Sequence, residues 1–517
     1  MHSFFAIIQI HSSFSHWHKT LNTVAILELE WTNFMDTNNP ITSHNPKNKV
    51  LSSASFLMLI GLMLMGMLTA IQPLQPNDFF PYVRIGEEIV KTRSIPATEF
   101  MTYTQYGKPV EYQYWLPSVI LWGISKAGGV TLTSITVILC ITAYYFLLWK
   151  CLQELDITPV LALTCLFVFG LTAGSYYIAR PQVFAFPLFS LTLLLLIKWQ
   201  KSDNRLLWLL PIITILWVNL HGSFIVQFFL LVPAIIFGTG NRKKLIIAVI
   251  VALFATMVNA YGFGIWKSIF TIVRNEANQI YSLEFQKPTN EGWQANILFG
   301  SFLVIPVLTT LLRPKVKFIY WIWFMGFGWM ALSGIRYGIW YLGLLIILMC
   351  LLLNSYVTTL FKRELFQNRS MNLVVSVFLF MIVIAVLPGI REYWWKKGPP
   401  SYAETTPIKA AAWLHQNPQL PGEVWCDFTS CTYLTYALPE RKLFMTNRMD
   451  DFPVEQYQDY LKVTNGFHNW QQVLDKYNIH LVLFDYVELT QLDDTISGSA
   501  KWDEVYRDGR FKILVQN

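Results

Sequence analysis

The hydrophobic pattern of the chain is a succession of apolar runs of the length that crosses a bilayer, about 20 residues at ~1.5 Å rise each. From Leu51 onward it predicts about eleven spans, at residues 52–71, 130–149, 160–178, 181–198, 206–220, 222–238, 244–260, 293–312, 317–333, 336–354 and 371–390. A shorter run at 115–124 is interrupted by Pro117 and Gly123 and reads as re-entrant or interfacial. Basic residues near span ends are retained on the cytoplasmic side, which orients the series. With the start inside, the inner loops carry Lys150, then Lys198, Lys201 and Arg205, then Arg242, Lys243 and Lys244, then Arg313, Lys315 and Lys317, and finally Lys362, Arg363 and Arg369. The short outer turns carry only Arg180 and Arg336. Counting 115–124 as a full span would invert every later loop and put the Arg242 cluster outside, so that option is set aside.

This topology leaves outer loops at 72–112 and 261–292 and an outer tail from Arg391. Residues 1–50 form a polar N-terminal segment. Its apolar stretch at 4–10 is too short to span and lacks a preceding basic region, and Met35 is the expected start of translation. The membrane domain covers 51–395, and KKGPP at 396–400 opens an extracytoplasmic α/β domain over 396–517. Within it, strands are predicted at 424–426, 443–445, 480–484 and 511–515, and helices at 407–416, 454–461, 469–477 and 488–492. The fold class is therefore mainly α: a polytopic helical bundle with a small outer α/β domain.

Composition narrows this further. Only 14% of residues are charged and 54% are hydrophobic, which excludes an ordinary soluble enzyme. The net charge of +7 is scattered through short loops rather than gathered in a patch, so nucleic acid is not an expected partner. The six cysteines have no metal-ligand spacing; a bridge between Cys426 and Cys431, in the outer domain, is left open pending geometry.

Ionisable and amide side chains are costly in hydrocarbon and usually line water-filled cavities. Here they gather at one depth. Arg180 and Gln182 in ARPQ, Asn219 and His221 in WVNLHG, Asn259 in NAYG and Arg336 in GIRYG fall at the outer face, as do Asp78, Glu87, Glu88, Glu111, Glu284 and Glu291 in the loops. One outward-facing polar cavity is the economical reading; helix termination and contact with interfacial water is the plainer one.

The order NDFFPYVRIGEE, ARPQVFAF, ILWVNLHGSF, NAYGFGIW and SLEFQKP, followed by TPIKAAAWLHQNPQ and NRMDD in the tail, resembles a bacterial multi-pass group of the GT-C glycosyltransferase superfamily, distantly like protein O-mannosyltransferases and aminoarabinose transferases. The likeness runs over nearly the whole chain from Leu51. It implies a multi-pass protein of the bacterial cytoplasmic membrane, N-terminus inside, that moves a sugar from a polyprenyl-phosphate carrier to an acceptor outside, with inversion. The acceptor is a lipid, a glycan or a protein. The resemblance places Asp78 as general base and Glu284 as an aid to acceptor or metal binding. No metal ligand is assigned; a divalent metal is an option that some superfamily members use. Asp78 departs from the acidic pair common in the family, since Asn77 precedes it, and it also suits the N-cap of a loop helix.

Arg180 and Arg336 are expected phosphate ligands, because a guanidinium binds two oxygens at once. His221 and Asn219 are expected donor-binding groups, with a plain structural role at the turn as the alternative. Two rival functions stand beside the transferase: a transporter or flippase of lipid-linked glycans, and a non-catalytic assembly or sensing protein. A transporter would show repeated halves and broken spans meeting at the midplane, and neither pattern is visible.

Overall fold

The computed structural model describes residues 73–360 and 401–517, with Gly61 and Met381. The 1–34 segment, the start at Met35, the expected spans at 52–71 and 371–390 and the KKGPP linker lie outside the described residues.

The segment at 73–112 opens with helix α1 (Phe79–Thr92), whose Phe79, Phe80, Val83, Ile85 and Ile89 are buried. The side chain of Asn77 caps it, accepting a hydrogen bond from the Phe79 N–H at 2.9 Å, and it ends at Arg93 in the left-handed region. Helix α2 (Trp115–Glu154) is 40 residues long, about 60 Å at helical rise, which is twice a hydrocarbon core. It breaks at Gly128 and Gly129, the latter at φ +55°, a conformation that favours glycine. The limb before the break lies against α1, where a Cβ on Gly86 would collide with the Ser118 carbonyl. The limb after it is the expected 130–149 span.

Then follow α3 (Pro159–Thr172), α4 (Ala185–Gln200), α5 (Leu209–Leu220), α6 (Ile225–Phe237) and α7 (Arg242–Ala255). The second outer loop contains α8 (Gly264–Arg274) and α9 (Glu276–Tyr281), and α10 (Gly292–Leu312), α11 (Phe318–Ser333) and α12 (Gly338–Leu360) complete the described bundle. Four helical segments are long and apolar enough to cross a membrane: Trp115–Glu154, Pro181–Gln200, Gly292–Leu312 and Ile335–Thr359. The segments Leu161–Thr172, Leu209–Leu220, Gly222–Phe237 and Phe318–Ser333 are apolar but of 10–17 residues. The expected count of about eleven full spans is thus not reached among the described residues. The shortfall has a physical form: α3, α5 and α11 stop short and pass into one-turn 3-10 segments, Gly174–Tyr176, Gly222–Phe224 and Ile335–Tyr337. Irregular backbone at such a depth is tolerated where it lines a cavity.

The tail folds as α13 (Ile408–Gln416), β1 (Glu423–Cys426), α14 (Phe428–Ala437), β2 (Lys442–Leu443), α15 (Val454–Thr464), α16 (Trp470–Lys476), β3 (Leu481–Asp485), α17 (Thr490–Ser497), β4 (Trp502–Arg507) and β5 (Phe511–Gln516). The sheet order is β2-β1-β3-β5-β4; β1 runs parallel to both neighbours and the β3–β5–β4 ladder is antiparallel. All five residues of β3 are buried, as expected of a central strand. Cys426 and Cys431 form a disulfide across the turn from β1 into α14.

The tail does not stand apart. The sheet edge at β2 is covered by the first outer loop: the Leu443 N–H donates to the Met101 carbonyl at 3.2 Å and the Tyr103 N–H to the Leu443 carbonyl at 3.2 Å. The Leu74 N–H donates to the Ser401 carbonyl at 2.9 Å. Pairing a free edge in this way satisfies its backbone and fixes the tail to the loop that carries Asp78.

Candidate active site

One cavity of about 540 Å3 receives side chains from several interhelical turns and from the tail. Asp78 enters from the start of α1, Arg180 and Gln182 from the turn before α4, and His221 from the end of α5. Glu284 comes from the one-turn segment Leu283–Phe285, Arg336 from Ile335–Tyr337, and Asn447, Arg448 and Asp450 from the tail. The structure thus brings five of the six expected site residues to a single space. Asn219 does not line it and has the structural role that was the alternative reading: its amide donates to the carbonyls of Ile215 (2.8 Å) and Val258 (2.7 Å), and its oxygen accepts from Trp115 Nε1 at 3.0 Å. Its hydrogen-bonding capacity is spent inside the helix packing.

Arg180 is buried and ion-paired with Glu284, and its Nε has no partner. Arg336 stacks on the Phe285 ring, 4.4 Å from the centroid, and makes no ion pair among the described residues. The turn holding it is fixed twice: Tyr176 Oη donates to the Ile335 carbonyl at 2.5 Å, and the Ile335 N–H donates to the Gln286 carbonyl at 3.0 Å. Arg448 is bound by Asp451 (Nε to Oδ2, 2.6 Å), donates to the Glu111 carbonyl at 3.3 Å and lies over the Tyr112 ring at 4.5 Å. The Arg336 charge is therefore available to an anion, whereas the unpartnered Arg180 Nε is buried.

His221 Nδ1 accepts from the Ser223 N–H at 3.0 Å. A backbone N–H only donates, so Nδ1 carries no hydrogen and the neutral ring presents Nε2–H. Its plane is held by stacking on Tyr114, with centroids 4.9 Å apart.

Asp78 occupies the N-cap position, but with helical φ and ψ, and its side chain caps nothing; Asn77 performs that task. The Asp78 carboxylate instead accepts a hydrogen bond from Asn447 Nδ2 of the tail. Burial, with the nearby charge of Glu284, pushes its pKa up to about 6, against the pull of Arg180, Arg336 and Arg448. For Glu284 burial also raises the value, but Arg180 and Arg336 outweigh it and hold the carboxyl below its usual range. The two carboxylates are thereby divided: Glu284 is a fixed counter-ion, and Asp78 exchanges a proton near neutrality.

Asn447 and Arg448 belong to the NRMDD turn. Arg448 is buried, and this turn docks the tail over the cavity. Gln113, Tyr82, Tyr281 and Tyr457 also line the space, and Tyr281 stacks on Tyr457 at 5.1 Å. Among the described residues no three His, Cys, Asp or Glu side chains gather as a metal-binding set, and Glu284 is already neutralised by Arg180, so no reaction step is assigned to a metal.

No family model matches the chain, and no curated protein matches it in sequence. Solved structures do match in fold. The archaeal oligosaccharyltransferase AglB from Archaeoglobus fulgidus, solved with an inhibitory peptide and a dolichol-phosphate, aligns over 89% of this chain and 74% of its own at TM-score 0.54 and 9% identity. The arabinofuranosyltransferase AftD from Mycobacteria aligns over 92% of this chain at TM-score 0.55 and 12% identity. The fold is GT-C-like. The chain spans 40% of the length of AftD, and at these identities the likeness concerns the fold alone.

Proposed function

We propose that the chain is a membrane glycosyltransferase that moves a sugar from a polyprenyl-phosphate carrier to an acceptor hydroxyl at the extracytoplasmic face, with inversion. The observation that carries this reading is the shared cavity, in which a half-buried carboxylate titrating near neutrality faces the guanidinium groups of Arg180 and Arg336. A lipid-linked donor keeps its tail in the bilayer, so its phosphate and sugar must rest where helix ends meet water. The basic residues Lys198, Lys201, Arg242, Lys243, Lys244, Arg313 and Lys317 lie at or just beyond the ends of α4, α6, α10 and α11 opposite the turns that line the cavity, which supports a cavity facing outward.

In the reaction, the acceptor oxygen attacks the anomeric carbon from the face opposite the phosphate. Its proton passes to the Asp78 carboxylate as the new glycosidic bond forms. The bond between the anomeric carbon and the phosphate oxygen breaks, and its electron pair leaves on the phosphate. Arg336, Arg180 and the His221 Nε2–H stabilise the negative charge that develops there. Asn447 holds the base in place.

The test uses the full chain in nanodiscs or native membranes, with a panel of radiolabelled undecaprenyl-phosphate sugars. Wild type is expected to release undecaprenyl phosphate from one of them, and Asp78→Asn to release none while retaining a folded, monodisperse profile. Undiminished release by Asp78→Asn removes Asp78 from the mechanism. Release from no donor rejects the function.

A further inference from the structure

A second cavity of about 580 Å3 lies against the first, and Gln113, Ile272 and Asp450 line both. The two spaces share a wall but differ in chemistry. Arg180, Arg336 and Arg448 line the first, and no arginine lines the second. Bidentate guanidinium ligands for a phosphate therefore lie on one side of the wall, while Lys108 and Lys267 line the other.

The wall itself contains an unusual group. Gln113 is 7% exposed, and its side-chain amide has no hydrogen-bond partner among the described residues. A primary amide offers two donors and two acceptor sites. An amide at the junction of two cavities, opening into both, is satisfied by whatever occupies them. Asp450 beside it likewise has no ion-pair or hydrogen-bond partner among the described residues.

Two of the other carboxylates in the second cavity are already engaged. Glu99 accepts from the N–H groups of Met101 (2.7 Å) and Thr102 (3.0 Å) and from Tyr112 Oη (3.1 Å), while Asp451 holds Arg448. Lys108 donates to Gln105 Oε1 at 2.7 Å, and Ser268 donates to Glu111. What remains facing the space is a mixture of carboxylate acceptors (Glu111, Asp450), an ammonium donor (Lys267) and an amide that is both. Ala97, Pro109, Val110 and Ile272 are the apolar side chains of the lining, and no aromatic ring joins them. A hydroxyl is itself donor and acceptor, so a molecule bearing several of them matches the polar groups of this wall.

We propose that the second cavity is the acceptor berth and that the acceptor is a carbohydrate, held through its hydroxyls by Gln113 and Asp450 so that one hydroxyl crosses the shared wall to Asp78. This rests on the glycosyltransferase reading above. The volume lies in the range of small-ligand pockets, about 300–1,000 Å3, enough for a short run of sugar units. Asp450, unlike Asp78, takes no proton in the reaction; it accepts hydrogen bonds from neighbouring hydroxyls and fixes which one attacks.

The experiment has two arms, both on the full chain in native membranes supplied with the radiolabelled donor that wild type consumes. In the first, Thr271→Cys, in the wall of the second cavity away from the arginines, is capped with a bulky, membrane-impermeant thiol reagent. Of the native free cysteines, Cys151, Cys165 and Cys350 are buried and Cys140 is half-buried, so the variant is made together with Cys140→Ser and compared with Cys140→Ser alone. Capping is expected to reduce transfer about tenfold relative to the same variant uncapped, while photo-crosslinking of undecaprenyl phosphate to the first cavity stays within about twofold. Equal transfer before and after capping overturns the proposal, as does loss of crosslinking in step with transfer. In the second arm the labelled product is fractionated. Label in a water-soluble, glycosidase-sensitive glycan supports a carbohydrate acceptor; label that is protease-sensitive, or extracted into organic solvent without a glycan, overturns it. A wild type that consumes no donor rejects the transferase reading itself, a result distinct from an active wild type whose capped variant remains active.

Discussion

The membrane-side and tail-side walls of the first cavity are built by different means. On the membrane side, Arg180, His221 and Arg336 sit on or beside single 3-10 turns at the ends of apolar helices, and each turn is fixed within the bundle, as by Tyr176 on the Ile335 carbonyl. On the tail side, Asn447, Arg448 and Asp450 sit on a loop that is held by another loop, through Arg448 on the Glu111 carbonyl and β2 on Met101. Asp78 lies at the seam, with its backbone in the membrane unit's first loop and its carboxylate bonded to the tail. In the proposed reaction, positive charge for the phosphate thus comes from helix ends, and control of the proton acceptor from a docked domain. Substitutions on the two sides should fail in different ways.

The largest effect is expected at the seam. Asp78→Asn keeps the size and the contact with Asn447 but cannot take a proton, and general-base catalysis contributes about 10²–10⁴-fold. Transfer should fall by that factor, while undecaprenyl-phosphate binding, measured by crosslinking, persists. Next comes the membrane side. Arg180→Gln removes a phosphate ligand and also leaves Glu284 uncompensated beside Asp78, so both binding and the state of the base suffer. A loss of about 10²-fold or more in transfer is expected, together with weaker carrier binding. Arg180→Lys should rescue poorly, because an ammonium lacks the two-pronged geometry. Adding Glu284→Gln to Arg180→Gln should recover part of the loss, since it removes the orphaned charge. Were the double variant no better than the single one, the ion pair would be irrelevant to the base.

This division also explains what was legible in the chain. Asp78, Arg180, His221, Glu284 and Arg336 stand out because charged or polar groups at the ends of apolar runs are expensive, and their convergence follows from a common depth. Asn219 shares that depth and yet faces the helix packing, since depth says nothing about direction around a helix. Gln113 and Asn447 carry no signal of their own: an uncharged amide in a polar stretch looks the same whether it faces solvent or a base. In the tail, β1, β3 and β5 coincide with apolar clusters. Strand β4, WDEVYR, is an edge whose Asp503, Glu504 and Val505 are exposed, so its pattern lacks the burial that marks a strand. Helix α14, FTSCTYLTYA, is rich in residues that favour strands and is set by the Asp427 cap and the disulfide at its start.

That disulfide offers a smaller perturbation confined to the tail. It closes a loop between positions 426 and 431, and Phe428 and Thr432, on the turn and helix it anchors, line the cavity. For so short a loop the chain-entropy contribution is about 2 kcal/mol. Replacing both cysteines by serine should lower the unfolding temperature of the protein and slow transfer modestly, with carrier binding unchanged. If carrier binding fell as much as transfer, the two walls would not be separable.

The smallest effect is a shift rather than a loss, and it reads the tail's hold on the base directly. Asp78 has a pKa of about 6 in the fold against 3.8 as its ordinary value. Activity needs the anion, so transfer should rise with pH through about 6 and level off above it. Stability runs the other way. A carboxyl whose value is raised by folding binds its proton more tightly in the folded state, so its contribution to stability declines as pH climbs between 3.8 and about 6. Asn447 donates to the charged form and thereby favours it; Asn447→Ala removes that support and should move the acidic limb upward, by about one unit or less. Well above the limb the variant and wild type should converge, whereas a merely structural lesion would depress transfer equally at every pH. Rate profiles of the two proteins from pH 5 to 8 in the same membranes separate these outcomes, and parallel profiles would mean that the tail covers the base without tuning it.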